Sequence, residues 1–230
     1  MNVAREQSDP YCLSDVATDR LLAGAPWKRL AVLGDSIAAG VLEPLDGYES
    51  KGWTDRVAEA LHRQQPNLAY LNLGTRGLRT RQIRENQLQP ALAFGPDLAA
   101  VICGGNDLLV RHFDAARVER ELDLMVAVLQ AEGAEVITST LFDMSKALDM
   151  VPEHGAEIAR RMTELFDAIR RVAHRRETLH IDFHEHPACA DPGIYASDFQ
   201  HANARGHAIA AAGAIERLGG RLRQRAPAAA

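Results

Sequence analysis

The chain has 230 residues, of which 47% are apolar and 25% charged, and its formal charge is −5. This is the composition of one ordinary globular domain, and it excludes a largely disordered chain. The acidic balance argues against a broad basic surface for nucleic acid or anionic membrane.

Three widely spaced cysteines, Cys12, Cys103 and Cys189, make neither a disulfide framework nor a zinc-type Cys-x-x-Cys pair. The opening residues, MNVAREQSDPYCLSD, hold no apolar segment of signal-peptide type. No apolar run approaches the roughly 20 residues that span a bilayer. The expectation is a soluble, cytoplasmic protein with no transmembrane segment and no nucleic-acid partner. Oligomeric state leaves no mark in the sequence.

Residues 1–28 read as a leader. Ser14 is placed to cap a short helix over 15–23, with Gly24 as its stop. Strand and helix signals then alternate. The run 29–33 (RLAVL) is a strand that ends at Gly34. Trp53, Val57 and Leu61 recur at helical spacing. The segment 68–73 (LAYLNL) is the second strand, followed by a polar helix over about 79–93. The third strand is 98–103 (LAAVIC). Val118, Leu122, Met125, Val126 and Leu129 mark one face of the next helix.

The fourth strand is 135–140 (EVITST). Ile158, Met162, Leu165, Phe166, Ile169 and Val172 give the cleanest helical stripe. Arg170, Arg171, Arg175 and Arg176 lie within that helix and read as a solvated face. The fifth strand is 178–182 (TLHID), and a last helix covers about 203–224. Residues 225–230 (RAPAAA) read as a frayed tail. Five apolar strands separated by helices imply a parallel sheet covered on both faces, a three-layer α/β/α sandwich. The domain is expected over 29–224. Folds of this kind place their sites at the carboxyl ends of the strands.

Polar and glycine-rich signatures stand at those ends. The first strand ends in Gly34-Asp35-Ser36, which can present a hydroxyl in a cleft. The second ends in NLGTRG, with Gly74 and Gly77. The third ends in GGND, where the amide of Asn106 is a good neutral donor. Two or three donors aimed at one point form an oxyanion hole. Near the C-terminus, Asp198 and His201 stand three apart, so a carboxylate can orient an imidazole for general-base work. Each short motif alone is weak. Their joint order is nucleophile, donors, then acid and base.

In that combination the chain resembles the SGNH, or GDSL-type, serine hydrolases over about residues 30–206. The resemblance implies a flavodoxin-like sheet ordered 2-1-3-4-5. It implies Ser36 as nucleophile and Asp198 and His201 as its partners. It also implies backbone donors at Ser36 and Gly77, with Asn106 as the side-chain donor. The family often has Gly after the triad Asp and Pro after the His, where this chain has Phe199 and Ala202. The implied activity is hydrolysis of small-molecule carboxylic esters of small to medium acyl groups through an acyl-serine, with no cofactor. Phe199 is a residue that could narrow the cleft. Asp35 and Asp107 read as ties for the loops around Ser36 and Asn106.

Other readings stay open. Transfer of the acyl group to an alcohol or amine would use the same residues. His180, Asp182, His184 and His186 share one face of an extended segment and could converge on a metal, although solvated polar groups at a strand end are the plainer reading. A non-catalytic binding module lacks its signature, since no Gly-x-Gly-x-x-Gly or Walker loop follows the first strand. Segments 41–52 and 142–155 are expected to line the cleft. In the second, Met144, Leu148, Met150 and Val151 would suit an acyl chain as well as plain packing.

Overall fold

A computed structural model describes residues 3–147, 152–198 and 200–225. Its five parallel strands are β1 (Arg29–Gly34), β2 (Ala69–Asn72), β3 (Leu98–Ile102), β4 (Glu135–Ser139) and β5 (Leu179–Ile181). They lie in the order β2-β1-β3-β4-β5, as expected. The central strands are apolar at nearly every position because both faces of the sheet are covered. All of β3, and all of β1 after Arg29, is buried.

Alternate side chains of each strand feed opposite layers. Leu30, Val32, Leu98, Ala100 and Ile102 pack on α3 (Trp53–Gln64) and α8 (Ala204–Arg225). Ala31, Leu33, Ala99 and Val101 pack against α4 (Thr80–Phe94), α6 (Ala115–Ala131) and α7 (Pro152–Arg176). The stripe on α7 is buried from Met162 to Val172, with Ile158 half-buried, and Phe166 is fully enclosed. Truncating it to Ala would cost about 3–5 kcal/mol.

The leader is folded onto this sandwich. It forms α1 (Ala4–Ser8) and α2 (Asp15–Leu21), with Ser14 Oγ accepting from the Ala17 N–H at 3.2 Å. Leu22, Ala25 and Trp27 belong to the main core. Glu6 receives both guanidinium nitrogens of Arg56, at 2.6 and 3.0 Å. Helix α1 was not anticipated, and nor was the single turn α5 (Gly105–Leu108) after β3. Of the expected frayed tail 225–230, residues 226–230 lie outside the described residues, whereas Arg225 belongs to α8 and pairs with Glu135 at 2.8 Å. No helix among the described residues is long and apolar enough to cross a membrane.

The chain leaves β1 toward β2 on one side and returns through β3 on the other. The carboxyl ends of β1 and β3 therefore flank the crevice where such sheets place their sites.

Candidate active site

Ser36 follows β1 by two residues and is 5% exposed. The turn that carries it needs Gly34. A Cβ there would lie 2.3 Å from the Ile102 carbonyl oxygen and 2.6 Å from the Ala38 Cβ. Gln87 of α4 fixes the same glycine by two buried hydrogen bonds. The Gly34 N–H donates to Gln87 Oε1 at 2.8 Å, and Gln87 Nε2 donates to the Gly34 carbonyl at 2.9 Å.

The loop before α8 brings the other two residues to Ser36. His201 Nε2 lies 2.8 Å from Ser36 Oγ, and His201 Nδ1 lies 2.6 Å from Asp198 Oδ2. The other oxygen of Asp198 accepts the backbone N–H groups of Gln200 and His201, each at 3.0 Å. Burial pushes the Asp198 carboxyl up, but the bonds from His201 and the two backbone donors outweigh it and hold the group at about 2. Asn203 anchors the C-terminal side of this loop. Its amide donates to the Gly193 and Tyr195 carbonyls, and its Oδ1 accepts from the N–H groups of Arg205 and Gly206 at the start of α8.

Donors expected near Ser36 lie on two neighbouring loops. Gly104 turns the chain after β3 at φ +104°, with Leu165 Cδ1 only 2.6 Å from where a Cβ would stand. Asn106 follows on α5. Its Nδ2 donates to the Leu78 carbonyl at 3.0 Å and, more weakly, to Asp35 Oδ2 at 3.3 Å. Asp107 Oδ2 accepts from both the N–H and the hydroxyl of Thr80, at 2.8 Å each. Asp35 Oδ1 accepts from the Ile37 N–H at 3.0 Å. Both acids thus tie loops, as expected. Burial drives the Asp35 carboxyl up to about 6, against the Ile37 hydrogen bond.

The β2 loop comes close to the Ser36 turn through Gly74, where a Cβ would lie 2.3 Å from the Ala39 nitrogen. Gly77 sits three residues on, at φ +82° on an exposed turn with open space around it. Ser36, Asn106 and His201 line one cleft, and Gly77 is not among the described residues that line it.

The expected cleft walls need correction. No residue of 41–52 lines the cavity, and of 142–155 only Phe142 and Met144 do so among the described residues. Leu148, Met150, Val151 and Phe199 lie outside the described residues. The segment 41–52 instead serves as bracing. Glu43 Oε2 accepts from the Ser197 N–H at 2.8 Å and the Ser197 hydroxyl at 2.6 Å. Tyr48 donates to the buried Asp9 of the leader at 2.7 Å, and Arg205 donates to the same carboxylate at 2.6 Å. Glu43 and Gln87 carry no local sequence signal, because their partners are 154 and 53 residues away.

Three other histidines, His207, His180 and His184, have surroundings of their own away from the Ser36 hydroxyl. His207 accepts from the Trp53 N–H through Nδ1 and donates to the Val41 carbonyl through Nε2, each at 3.1 Å. Burial pushes it down to about 4. His180 Nδ1 meets Thr138 Oγ1 at 3.1 Å, and Asp182 pairs with Thr140 and Arg170. His184 Nδ1 is 3.1 Å from Asp143 Oδ2, close enough for ion pairing but not aligned for a hydrogen bond. Among the described residues, no three His, Cys, Asp or Glu side chains gather as a metal site.

The model of the GDSL-like lipase/acylhydrolase family matches residues 32–209, and the chain belongs to that family of ester-hydrolysing serine hydrolases. Among solved structures, it is 25% identical to LAE5, an α/β hydrolase from the metagenome of Lake Arreo, with a TM-score of 0.65 over 86% of this chain and 96% of that one. The acetylxylan esterase Axe2 of Geobacillus stearothermophilus shares the fold at 21% identity and TM-score 0.67, over 86% and 95%. So does a lipase/acylhydrolase of Enterococcus faecalis, at 22% and 0.66, over 84% and 96%. No curated protein matches the chain.

Proposed function

We propose that the protein hydrolyses carboxylic esters of small to medium acyl groups through an acyl-serine intermediate, with Ser36 as nucleophile, His201 as general base and Asp198 as its orienting carboxylate. The observation that supports this most is the unbroken line Asp198 Oδ2, His201 Nδ1, His201 Nε2, Ser36 Oγ, with hydrogen-bond distances of 2.6 and 2.8 Å.

His201 Nε2 takes the Ser36 proton as Oγ attacks the ester carbonyl carbon. The carbonyl π pair moves to oxygen, and the resulting oxyanion is held by the Ser36 backbone N–H and the Asn106 amide, the Gly77 N–H being a third donor only if its loop turns toward the cleft. The tetrahedral centre collapses, the C–O bond to the alcohol breaks, and His201 returns its proton to the departing oxygen. Water then attacks the acyl-serine, giving up its proton to His201, and Ser36 leaves with that proton as the acid is released. Asp198 stays ionised throughout.

Residues 29–224 act as the hydrolase domain in this proposal, with 1–28 as a packed leader and a short tail beyond. A cytoplasmic setting is supported by three unpaired cysteines. The test is steady-state kinetics on a short acyl ester. Ser36→Ala should lower kcat by on the order of 10⁴-fold or more while the fold is kept. A folded Ser36→Ala protein with wild-type kcat would overturn the assignment.

A further inference from the structure

The cleft over Ser36 leads inward into a cavity of about 120 Å³. Leu109, 58% exposed, stands at its rim. Leu141, Phe142, Met162, Trp53, Phe183 and Ala210 give it an apolar lining. Ile102, at the end of β3, is 1% exposed and belongs to the lining too. The Phe142 and Phe183 rings stand 4.9 Å apart, so this part of the wall is packed hydrocarbon. Exposure therefore falls from the rim to the interior. Asp35, Ser36, Asn106 and His201 supply polar groups where the reaction would occur.

We propose that this cavity is an acyl-binding pocket that selects butanoyl to hexanoyl esters over both acetyl and long-chain esters. The proposal rests on the serine-esterase function above. Its upper limit follows from volume: an engineered apolar cavity of about 150 Å³ takes up benzene, so the smaller space here holds an acyl chain of roughly four to six carbons. Its lower limit follows from the hydrophobic effect. Each methylene moved from water into such a wall gains about 0.8 kcal/mol, a factor of about four in kcat/KM. An acetyl group leaves the inner half of the pocket unfilled.

The experiment is a series of p-nitrophenyl esters from acetyl to dodecanoyl on the full chain, run beside fluorophosphonate labelling of Ser36. The expected result is a rise in kcat/KM on the order of 100-fold from acetyl to hexanoyl, then a fall at decanoyl and dodecanoyl. Ala210→Leu, which fills the pocket, should move the optimum toward acetyl. Met162→Ala, which enlarges it, should move the optimum toward octanoyl. A wild-type maximum at acetyl, or a rise that continues to dodecanoyl, with Ser36 labelled, overturns the acyl-pocket proposal alone. So does an unchanged optimum in whichever variants fold. A protein that cleaves none of these esters and is not labelled at Ser36 overturns the esterase function and this proposal together.

Discussion

Glu43 and Ser197, 154 residues apart, are joined by two hydrogen bonds onto one carboxylate oxygen, at 2.8 and 2.6 Å. Ser197 directly precedes Asp198, and Glu43 lies a short way beyond Ser36 in the chain. One side chain thus ties the loop that carries Asp198 and His201 to the segment that follows Ser36.

Removing that tie should loosen the reacting geometry without unfolding the protein. Glu43→Ala is expected to slow fluorophosphonate labelling of Ser36 by about 3- to 10-fold, because small displacements of a base are costly to rate. Glu43→Gln, which keeps an acceptor oxygen, should recover part of the loss. Equal labelling rates for wild type and Glu43→Ala would show that the contact has no part in positioning.

In the proposed mechanism Asn106 donates to the oxyanion. Its amide now donates to the Leu78 carbonyl and weakly to Asp35. Asn106→Ala should lower kcat by about 10²–10³, or roughly 3–4 kcal/mol, with little change in KM. The Leu78 carbonyl lies near the surface and can turn to water, so stability should fall by only about 1 kcal/mol. Unchanged kcat would reduce Asn106 to a loop tie.

Acid should weaken the fold through His207. Burial pushes its folded value down to about 4, whereas an unfolded imidazole titrates near 6.5. Between those values the unfolded chain binds the extra proton, so stability falls as pH drops through the window, by on the order of 3 kcal/mol. Asp35 works the other way. Burial first, against the Ile37 hydrogen bond, raises it to about 6, so its contribution is present at low pH and is lost as pH rises from about 4 to 6. The two slopes oppose each other between pH 4 and 6. In His207→Gln one rising contribution is gone, while His180 and His186, both held down by burial, still act in that direction, so stability should rise less from pH 4 to 6 than in the wild type. Thermal melts at half-unit pH steps check this; a variant whose stability rises from pH 4 to 6 as steeply as the wild type's contradicts it.

The parts of the fold built from local pattern were legible in the sequence. Parallel strands such as 98–102 are buried on both faces and so read as unbroken apolar runs. The stripe Ile158 to Val172 announced α7. The strand order came instead from the family resemblance, since periodicity says nothing of which strands are neighbours. At the site, Ser36, Asn106, Asp198 and His201 stood out because each closes a strand end or a tight turn. Glu43, Gln87 and Asn203 act through partners far along the chain or through backbone carbonyls, which leave no motif. The cleft walls were only partly legible for the same reason: Phe142 and Met144 line it as expected, but Leu109, Met162, Phe183 and Ala210 come from four separate segments, and only the fold assembles them. In 41–52, adjacency to the nucleophile suggested a wall, yet Glu43 and Tyr48 face the loops and leader they brace.

The central claim is that a covalent acyl group passes through Ser36. Rapid quenching of the enzyme during turnover of p-nitrophenyl hexanoate, followed by peptide mass mapping, tests it most directly. The account predicts a hexanoyl adduct on the peptide that holds Ser36, absent in Ser36→Ala, and lost from the steady state in His201→Ala because acylation itself fails. A hexanoyl adduct on another residue, in an enzyme whose Ser36→Ala variant still turns over, would contradict it.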